Sequence, residues 1–361
     1  MSAPRRVVIT GRGVYSPLGC DWPSFAAAVR AGERAPAGHF SGALAGDPVP
    51  FHPLLDGETV LDGEPLSALA TATVRAALSE AGIHANGAFL DDVGLVMSTV
   101  LGPSTAVEAY LERLQAGGPR AGRPALFVDT LLSMPASRVG IALRLRGSTA
   151  VLGGSSPFEL ALDWVRHGRE HTVVAGGGEY HSPKCLRYYR VLAERSGADR
   201  ALLAQGAAFV VLEASEHAEG RGATPLAELL GAGAASEPQE VSLPWNSDAN
   251  GRAFAIAMRV ALADAAIDPE DVQVVALAAG DDASEAGELA ALRSVVGDRV
   301  GSLTVLRPKR LLGEALGASA GLSLLATLAR LEANEQPSVA LVNAFEMGGA
   351  VASLVVRAPA A

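Results

Sequence analysis

The residues best placed for chemistry lie in Val151-Leu152-Gly153-Gly154-Ser155-Ser156-Pro157-Phe158-Glu159-Leu160-Ala161-Leu162. A short apolar β run ends in a glycine pair; two serines and a proline follow, and then an apolar helical pattern begins. A strand–turn–helix elbow of this kind lifts one residue to a helix N-terminus, where free N–H groups and the helix dipole favour a developing negative charge. Enzymes place nucleophiles there. The tip here is Gly154, which has no side chain to attack with. Ser155 and Ser156 stand beside it, but a serine nucleophile needs a base within hydrogen-bond reach. Capping is the stronger reading of Ser155 and catalysis the alternative. An ordinary βα turn leaves the same pattern.

Other reactive side chains are sparse or misplaced. Cys20 and Cys185 are the only cysteines, and both lie far from the elbow in sequence. The histidines are His39, His52, His84, His167, His171, His181 and His217, so none falls in the last third of the chain. Acids and a lysine stand there instead, in Lys309-Arg310-Leu311-Leu312-Gly313-Glu314 and in Asn343-Ala344-Phe345-Glu346-Met347-Gly348-Gly349. Glu285 and Glu288 are expected to serve a helix N-terminus. No cluster has metal-ligand spacing, and there is no P-loop. Gly176-Gly177-Gly178 lacks the spacing of a dinucleotide fingerprint. Arg187-Tyr188-Tyr189-Arg190 reads as a solvated loop, with contact to an acidic carrier as the alternative.

The elements that must position these residues alternate between strand and helix. Strands are expected at 7–10, 93–97, 149–152 and 172–175, with glycine turns after the first and the last of these. Helices are expected at 22–31 behind the cap Asp21, and at 66–81, 104–115, 134–145 and 158–167. Residues 32–63 read as a long loop. The second half repeats the alternation. Strands are expected at 226–233, 272–278, 303–306, 339–343 and 351–356, and helices at 251–266, 284–296 and 314–332.

The chain has 361 residues, 49% of them hydrophobic, which suits one large α/β body or two fused domains. Its net charge of −10 argues against nucleic acid and anionic membranes as partners. Two cysteines form no disulfide framework and fit a reducing cytosol. No signal peptide or spanning segment is seen, so a soluble cytoplasmic protein is expected.

The elbow resembles the nucleophile elbow of the β-ketoacyl synthases of the thiolase superfamily, and the likeness extends over nearly the whole chain. Arg5 to Gly19 is similar to their opening strand and loop, and Gly206 to Glu213 to the strand that closes their first half. Lys309 to Gly321 is similar to their lysine-and-histidine loop, and Asn343 to Gly349 to their C-terminal glycine-rich loop. The resemblance implies a duplicated five-layer αβαβα fold, with an N-terminal half over 1–222 and a C-terminal half over 223–361. It also implies a Cys-His-His triad that decarboxylates a malonyl-type donor and condenses it with an acylated cysteine. Those positions fall on Gly154, on Ala279 (or on Leu277 if no gap is allowed) and on Glu314; only the family lysine remains, as Lys309. An acid in place of the second histidine opposes the enolate that decarboxylation builds up. The phenylalanine that gates the family's acyl site is Met347, and a Gly-Glu-Gly motif reads Ala204-Gln205-Gly206. The connector at 331–338 is shorter than in the family.

The resemblance narrows to a chain length factor, the non-catalytic partner in type II polyketide and aryl-polyene-type ketosynthase heterodimers, although that family usually has Gln where Gly154 stands. The implied partners are a catalytic ketosynthase subunit and an acyl carrier protein with its phosphopantetheine-bound chain. No cofactor and no metal is expected. Met134, Met347, Gly348, Gly349 and Ser155 are the expected substrate-binding residues, with Met134 reaching the partner's pocket. The expected interface strand is 172–175, whose following glycines suit close approach between subunits. Two alternatives remain: a repurposed acyltransferase, hydrolase or cyclase using Ser155, Glu314 or Glu346, and a stand-alone acyl-binding protein.

Overall fold

Alternating side chains along the strands divide the interior into three large apolar cores, with a fourth, small one beside them. The structure is a computed structural model that describes residues 4–40, 49–54, 63–154, 156–196, 202–237, 251–334 and 338–358. The strands are β1 (Val7–Tyr15), β2 (Gly38–Phe40), β3 (Val49–Phe51), β4 (Val93–Ser98), β5 (Thr149–Leu152), β6 (Thr172–Glu179), β7 (Gly206–Ala214), β8 (Ala227–Ser236), β9 (Val272–Ala276), β10 (Thr304–Leu306), β11 (Val339–Glu346) and β12 (Ala350–Arg357). The helices are α1 (Trp22–Ala31), α2 (Pro65–Glu80), α3 (Ser104–Gly117), α4 (Pro124–Val128), α5 (Met134–Leu143), α6 (Phe158–Arg166), α7 (Pro183–Ser196), α8 (Ser215–Gly220), α9 (Arg252–Asp264), α10 (Asp282–Val296), α11 (Pro308–Leu312) and α12 (Ser319–Leu331).

On β7, Ala207, Phe209 and Val211 face α2 and α5, whereas Ala208, Val210 and Leu212 face the middle of the molecule. On β11, Leu341 and Phe345 face α9 and α10, whereas Ala340, Val342 and Ala344 face the same middle layer. Helices α6 and α12 fill that layer, each touching strands from both halves. The order is therefore helix, sheet, helix, sheet, helix, the five-layer αβαβα arrangement expected from the resemblance. The main sheet runs β10-β9-β11-β12-β8-β1-β7-β6-β4-β5. Its two ends repeat one plan. β1 is antiparallel to β7 and β7 to β6, while β6, β4 and β5 are parallel. β8, β12, β11, β9 and β10 follow the same sequence of orientations. The halves join through β1 and β8 at Val8–Glu228 and Ile9–Ala227.

Several expectations change at glycines. The turns expected after residues 10 and 175 are continuous strand. A Cβ at Gly11 would come within 2.2 Å of the Ala77 carbonyl oxygen, and one at Gly177 within 1.9 Å of the Gly317 carbonyl oxygen. These glycines let α2 and the loop before α12 lie directly on the sheet. The expected interface strand is corrected for the same reason. β6 is paired on both edges, with β4 and with β7, so it has no free edge to offer a partner. Its glycines serve close approach inside the chain. The strand with a free edge at that end is β5, paired only with β4.

The loop read at 32–63 contains the short β2–β3 pair. The expected helix at 314–332 begins at Ser319, and Glu314 lies in the turn before it. The stretch read as a solvated loop around Arg187 is the helix α7. Asp21 caps α1 as expected, accepting from the Ser24 N–H at 2.8 Å. Among the described residues no helix is long and apolar enough to cross a membrane.

Candidate active-site region

The C-terminal ends of the parallel strands β4, β5, β6, β9 and β11 meet at one pole, as ligand-binding ends do in α/β sheets. The elbow stands there. β5 delivers Gly154 with φ +76°, a conformation that strains any residue carrying a Cβ. Ser156 Oγ accepts weakly from the Phe158 N–H at 3.4 Å as α6 begins. Ser155 lies outside the described residues. The turn between β11 and β12 closes over the elbow: a Cβ on Gly154 would sit 3.5 Å from the Met347 carbonyl oxygen. Gly348 and Gly349 hold this turn with φ of +87° and +88°.

The two other triad positions are engaged structurally. Ala279 is buried, and its N–H donates to Glu288 Oε2 at 2.9 Å. Glu288 also accepts from the Ala278 N–H at 2.9 Å and from Asn343 Nδ2 at 2.8 Å. Glu288 therefore ties the end of β9 to β11, correcting its expected place at a helix N-terminus. Glu285 stands in the first turn of α10, as expected, and pairs there with Arg307 and Arg310, and Asp281 caps α10 through the Ser284 N–H. Glu314, in place of the second histidine, forms a buried ion pair with Lys309, with Nζ 2.6 Å from Oε2. Its other oxygen accepts from the Leu316 N–H at 2.9 Å and from Ser319 Oγ at 2.8 Å. Both carboxylate oxygens are thus committed to holding the turn before α12.

Further buried acids surround this pair. Glu179, at the end of β6, accepts from Thr99 Oγ1 and from the N–H groups of Val100, Leu101 and Gly317. Burial pushes it up to about 7 against those four bonds, which favour the charged form. Burial likewise pushes Glu288 up to about 7. Glu159, in the first turn of α6, is also pushed up to about 7 by burial, and its Oε1 has no partner among the described residues. Glu346 is the extreme case. Neither of its oxygens has a partner among the described residues. Burial, together with Glu314, Glu179 and Glu159, holds it well above the usual carboxylate range despite the opposing pull of Lys309. A carboxyl in that setting stays protonated at neutral pH.

Beside the turn lies a cavity of about 280 Å³, close to the lower end of the ~300–1,000 Å³ range of small-molecule sites. Cys185, Tyr188, Tyr189 and Leu192 of α7 form one wall, Leu101 and Leu203 another, and Leu316 and Met347 close it. Met347, Leu101 and Tyr189 also pack on the small core of Leu186, Leu203 and Leu316. The structure thus brings Met347 and Gly154 to one place. Met134 is elsewhere, half-buried at the start of α5. The sequence reading missed α7 as a wall and Cys185 as a lining residue. The signal was present in the positions 185, 188, 189 and 192, a helical stripe of i, i+3, i+4, i+7.

Chemically, this region offers an apolar cavity, a neutral acid and a saturated ion pair, with no nucleophilic side chain at Gly154. Among the described residues no group of His, Cys, Asp and Glu is arranged to hold a metal ion.

Comparison with known proteins bears on this geometry. Residues 4–218 match the model described as beta-ketoacyl synthase, N-terminal domain, and residues 226–342 match that of the C-terminal domain. The chain is 28% identical over 374 residues to a 3-oxoacyl-[acyl-carrier-protein] synthase 2 of Coxiella burnetii, covering 95% of this chain and 90% of that protein. It is also 28% identical over 407 residues to nodulation protein E of Rhizobium meliloti, covering 98% and 99%. Among solved structures, the ishigamide ketosynthase/chain length factor superposes with a TM-score of 0.86 at 23% identity, over 99% of this chain and 100% of that one. A beta-ketoacyl synthase from Burkholderia phymatum STM815 gives 0.81 at 22%, over 98% and 100%. The fold is thus a thiolase-like ketosynthase fold.

Proposed function

The chain belongs to the β-ketoacyl synthase family, and from that premise we propose that it is a catalytically silent, chain length factor-like subunit. It pairs with an active ketosynthase and shapes the space in which that enzyme's acyl chain grows on an acyl carrier protein. The observation that carries this reading is the Lys309–Glu314 ion pair. Where the family keeps a lysine and a histidine for decarboxylation, this chain binds its lysine to a carboxylate that is itself fully hydrogen-bonded. Both oxygens of Glu314 are engaged, so it is not free to take a proton from a substrate as the histidine would, and the lysine faces a carboxylate rather than an imidazole. At the elbow, the φ of +76° at Gly154 suits glycine and opposes a cysteine.

A partner surface is available at the β5 edge. Leu131, Leu132 and Ile141 are exposed around it, with Ile141 79% accessible, and Leu126, Phe127 and Val128 lie exposed on α4. A free strand edge flanked by large apolar side chains is a natural seam for a second subunit. Met134 sits at the start of α5 beside Leu131 and Leu132, which supports its proposed reach toward the partner's pocket.

The stand-alone acyl-binding reading draws support from the apolar cavity inside the single chain. The repurposed-enzyme reading loses support at Glu314, whose oxygens are all engaged.

The test is co-expression with a ketosynthase encoded beside it. The expected result is a 1:1 complex in native mass spectrometry, no malonyl decarboxylation by this chain alone, and condensation by the complex. Ile141→Glu should break the complex, and Met134→Trp should shorten the product within an intact complex. Turnover by the isolated chain that disappears in Ser155→Ala or Glu314→Ala would favour the repurposed enzyme. Acyl-chain binding with no complex would favour the stand-alone protein.

A further inference from the structure

We propose that Glu346 is a proton-operated latch on the Met347 turn: with its proton the turn closes the apolar cavity, and without it the turn withdraws. This rests on the reading of the cavity as an acyl-chain site and adds a means of controlling it.

Three features of the structure meet at this point. The first is the carboxyl itself, 3% exposed as a residue and with neither oxygen partnered among the described residues. It points from the last position of β11 toward the middle layer, on the same face as Ala340, Val342 and Ala344. The second is its charged surroundings. Glu159 comes from α6, Glu179 from β6, Glu314 from the turn before α12 and Lys309 from α11. Lys309 is the single cation in that set and is already bound to Glu314 at 2.6 Å. The third is the hinge. Met347 follows Glu346 directly and lines the cavity, and Gly348 and Gly349 follow with φ of +87° and +88°. A Cβ on Gly348 would meet nothing within 4 Å, so there is open space beside the turn.

Protonated, Glu346 is a neutral group that the interior tolerates, and Met347 stays packed near Leu316 and Leu203. Ionised, it is a charge facing three acids, with the one nearby cation, Lys309, already held by Glu314, and it is drawn toward water. Turning out along the glycine hinge is the movement that the open space beside Gly348 permits, and it carries the Met347 thioether off the cavity wall. The only chemical event is loss of one proton from the carboxyl to solvent.

The test uses the full-length chain with methionines labelled at the ε-methyl carbon. There are five, at 1, 97, 134, 258 and 347, and Met347→Leu assigns the last. The Met347 methyl resonance should move in one titration above the usual carboxylate range and stay fixed in Glu346→Gln. A second arm measures binding of an amide-linked decanoyl pantetheine analogue, which carries no titrating group. Wild-type protein should bind it about tenfold more weakly at pH 9 than at pH 6.5, while Glu346→Gln holds the tighter affinity at both. A Met347 signal that stays still, or that moves equally in Glu346→Gln, overturns the latch. The first of those outcomes is expected if Lys309 simply turns from Glu314 to Glu346. Failure of the analogue to bind at any pH overturns the acyl-chain reading of the cavity instead, and the methyl resonance still decides the latch.

Discussion

β6 and β11 occupy equivalent places in the two halves, and each ends in a buried glutamate, Glu179 and Glu346. The surroundings of the two acids are opposite. Glu179 gathers four hydrogen bonds, three of them from backbone N–H groups of elements that would otherwise be left unsatisfied. Glu346 gathers none among the described residues. The same residue type, at the same end of equivalent strands, thus serves as a structural clamp in one half and as a poised acid in the other. Burial alone raises both; the hydrogen bonds restrain the rise at Glu179 to about 7, while neighbouring acids drive Glu346 further.

The sharpest way to break this comparison is to remove the clamp. Glu179→Ala strands three backbone donors and the Thr99 hydroxyl in a buried site, and should cost about 5 kcal/mol in urea unfolding. A loss under about 1 kcal/mol would show that water replaces the carboxylate without difficulty. Next comes the cation bound to Glu314. Lys309→Met leaves Glu314 without its counter-charge and should cost about 3–4 kcal/mol. That loss should be smaller in the Lys309→Met, Glu314→Met double variant, because no buried charge is then left unpaired.

The pH dependence of stability separates the acids as a group. The folded-state values of Glu159, Glu179 and Glu288 are raised to about 7, above the value near 4.5 expected for the unfolded chain. The folded state therefore binds more protons than the unfolded state between those limits. Stability is greatest below the lower limit and is lost as pH rises through about 7. Each of the three should contribute a fall of about 2–3 kcal/mol between pH 5 and 8. Stability that increases with pH over that interval would contradict the burial of these carboxyls. Last comes the orphan. Glu346→Gln should stabilise the fold more at pH 8.5 than at pH 5.5 in urea unfolding, since an amide never has to ionise in the interior. Equal effects at the two pH values would show that Glu346 does not ionise unpaired in the interior.

Much of the scaffold was legible from local pattern. Asp21 as the cap of α1, the elbow between residues 152 and 158, and the strand alternation of both halves are set by near neighbours along the chain. That Gly154, Ala279 and Glu314 carry neither thiol nor imidazole is likewise a matter of sequence identity alone. The stripe at 185, 188, 189 and 192 is present in the sequence, but the Arg187 and Arg190 interleaved with it fit a solvated loop equally well. The glycines after residues 10 and 175 misled because a glycine marks either a turn or a close approach, and only the packed neighbour distinguishes them.

What the sequence by itself determined is therefore the inventory of this protein: which elements form, in what order, and which side chains each of them carries. The tertiary structure alone decided what each remaining acid does. Glu179 and its donor Gly317 are 138 residues apart, Glu288 and Asn343 are 55 apart, and Glu346 acquires no partner at all among the described residues. A carboxyl's charge is set by its burial and by the donors that reach it. Both are fixed only when segments distant in the chain close around it, so four glutamates alike in sequence become a clamp, a tie, an ion-pair partner and an unpaired acid.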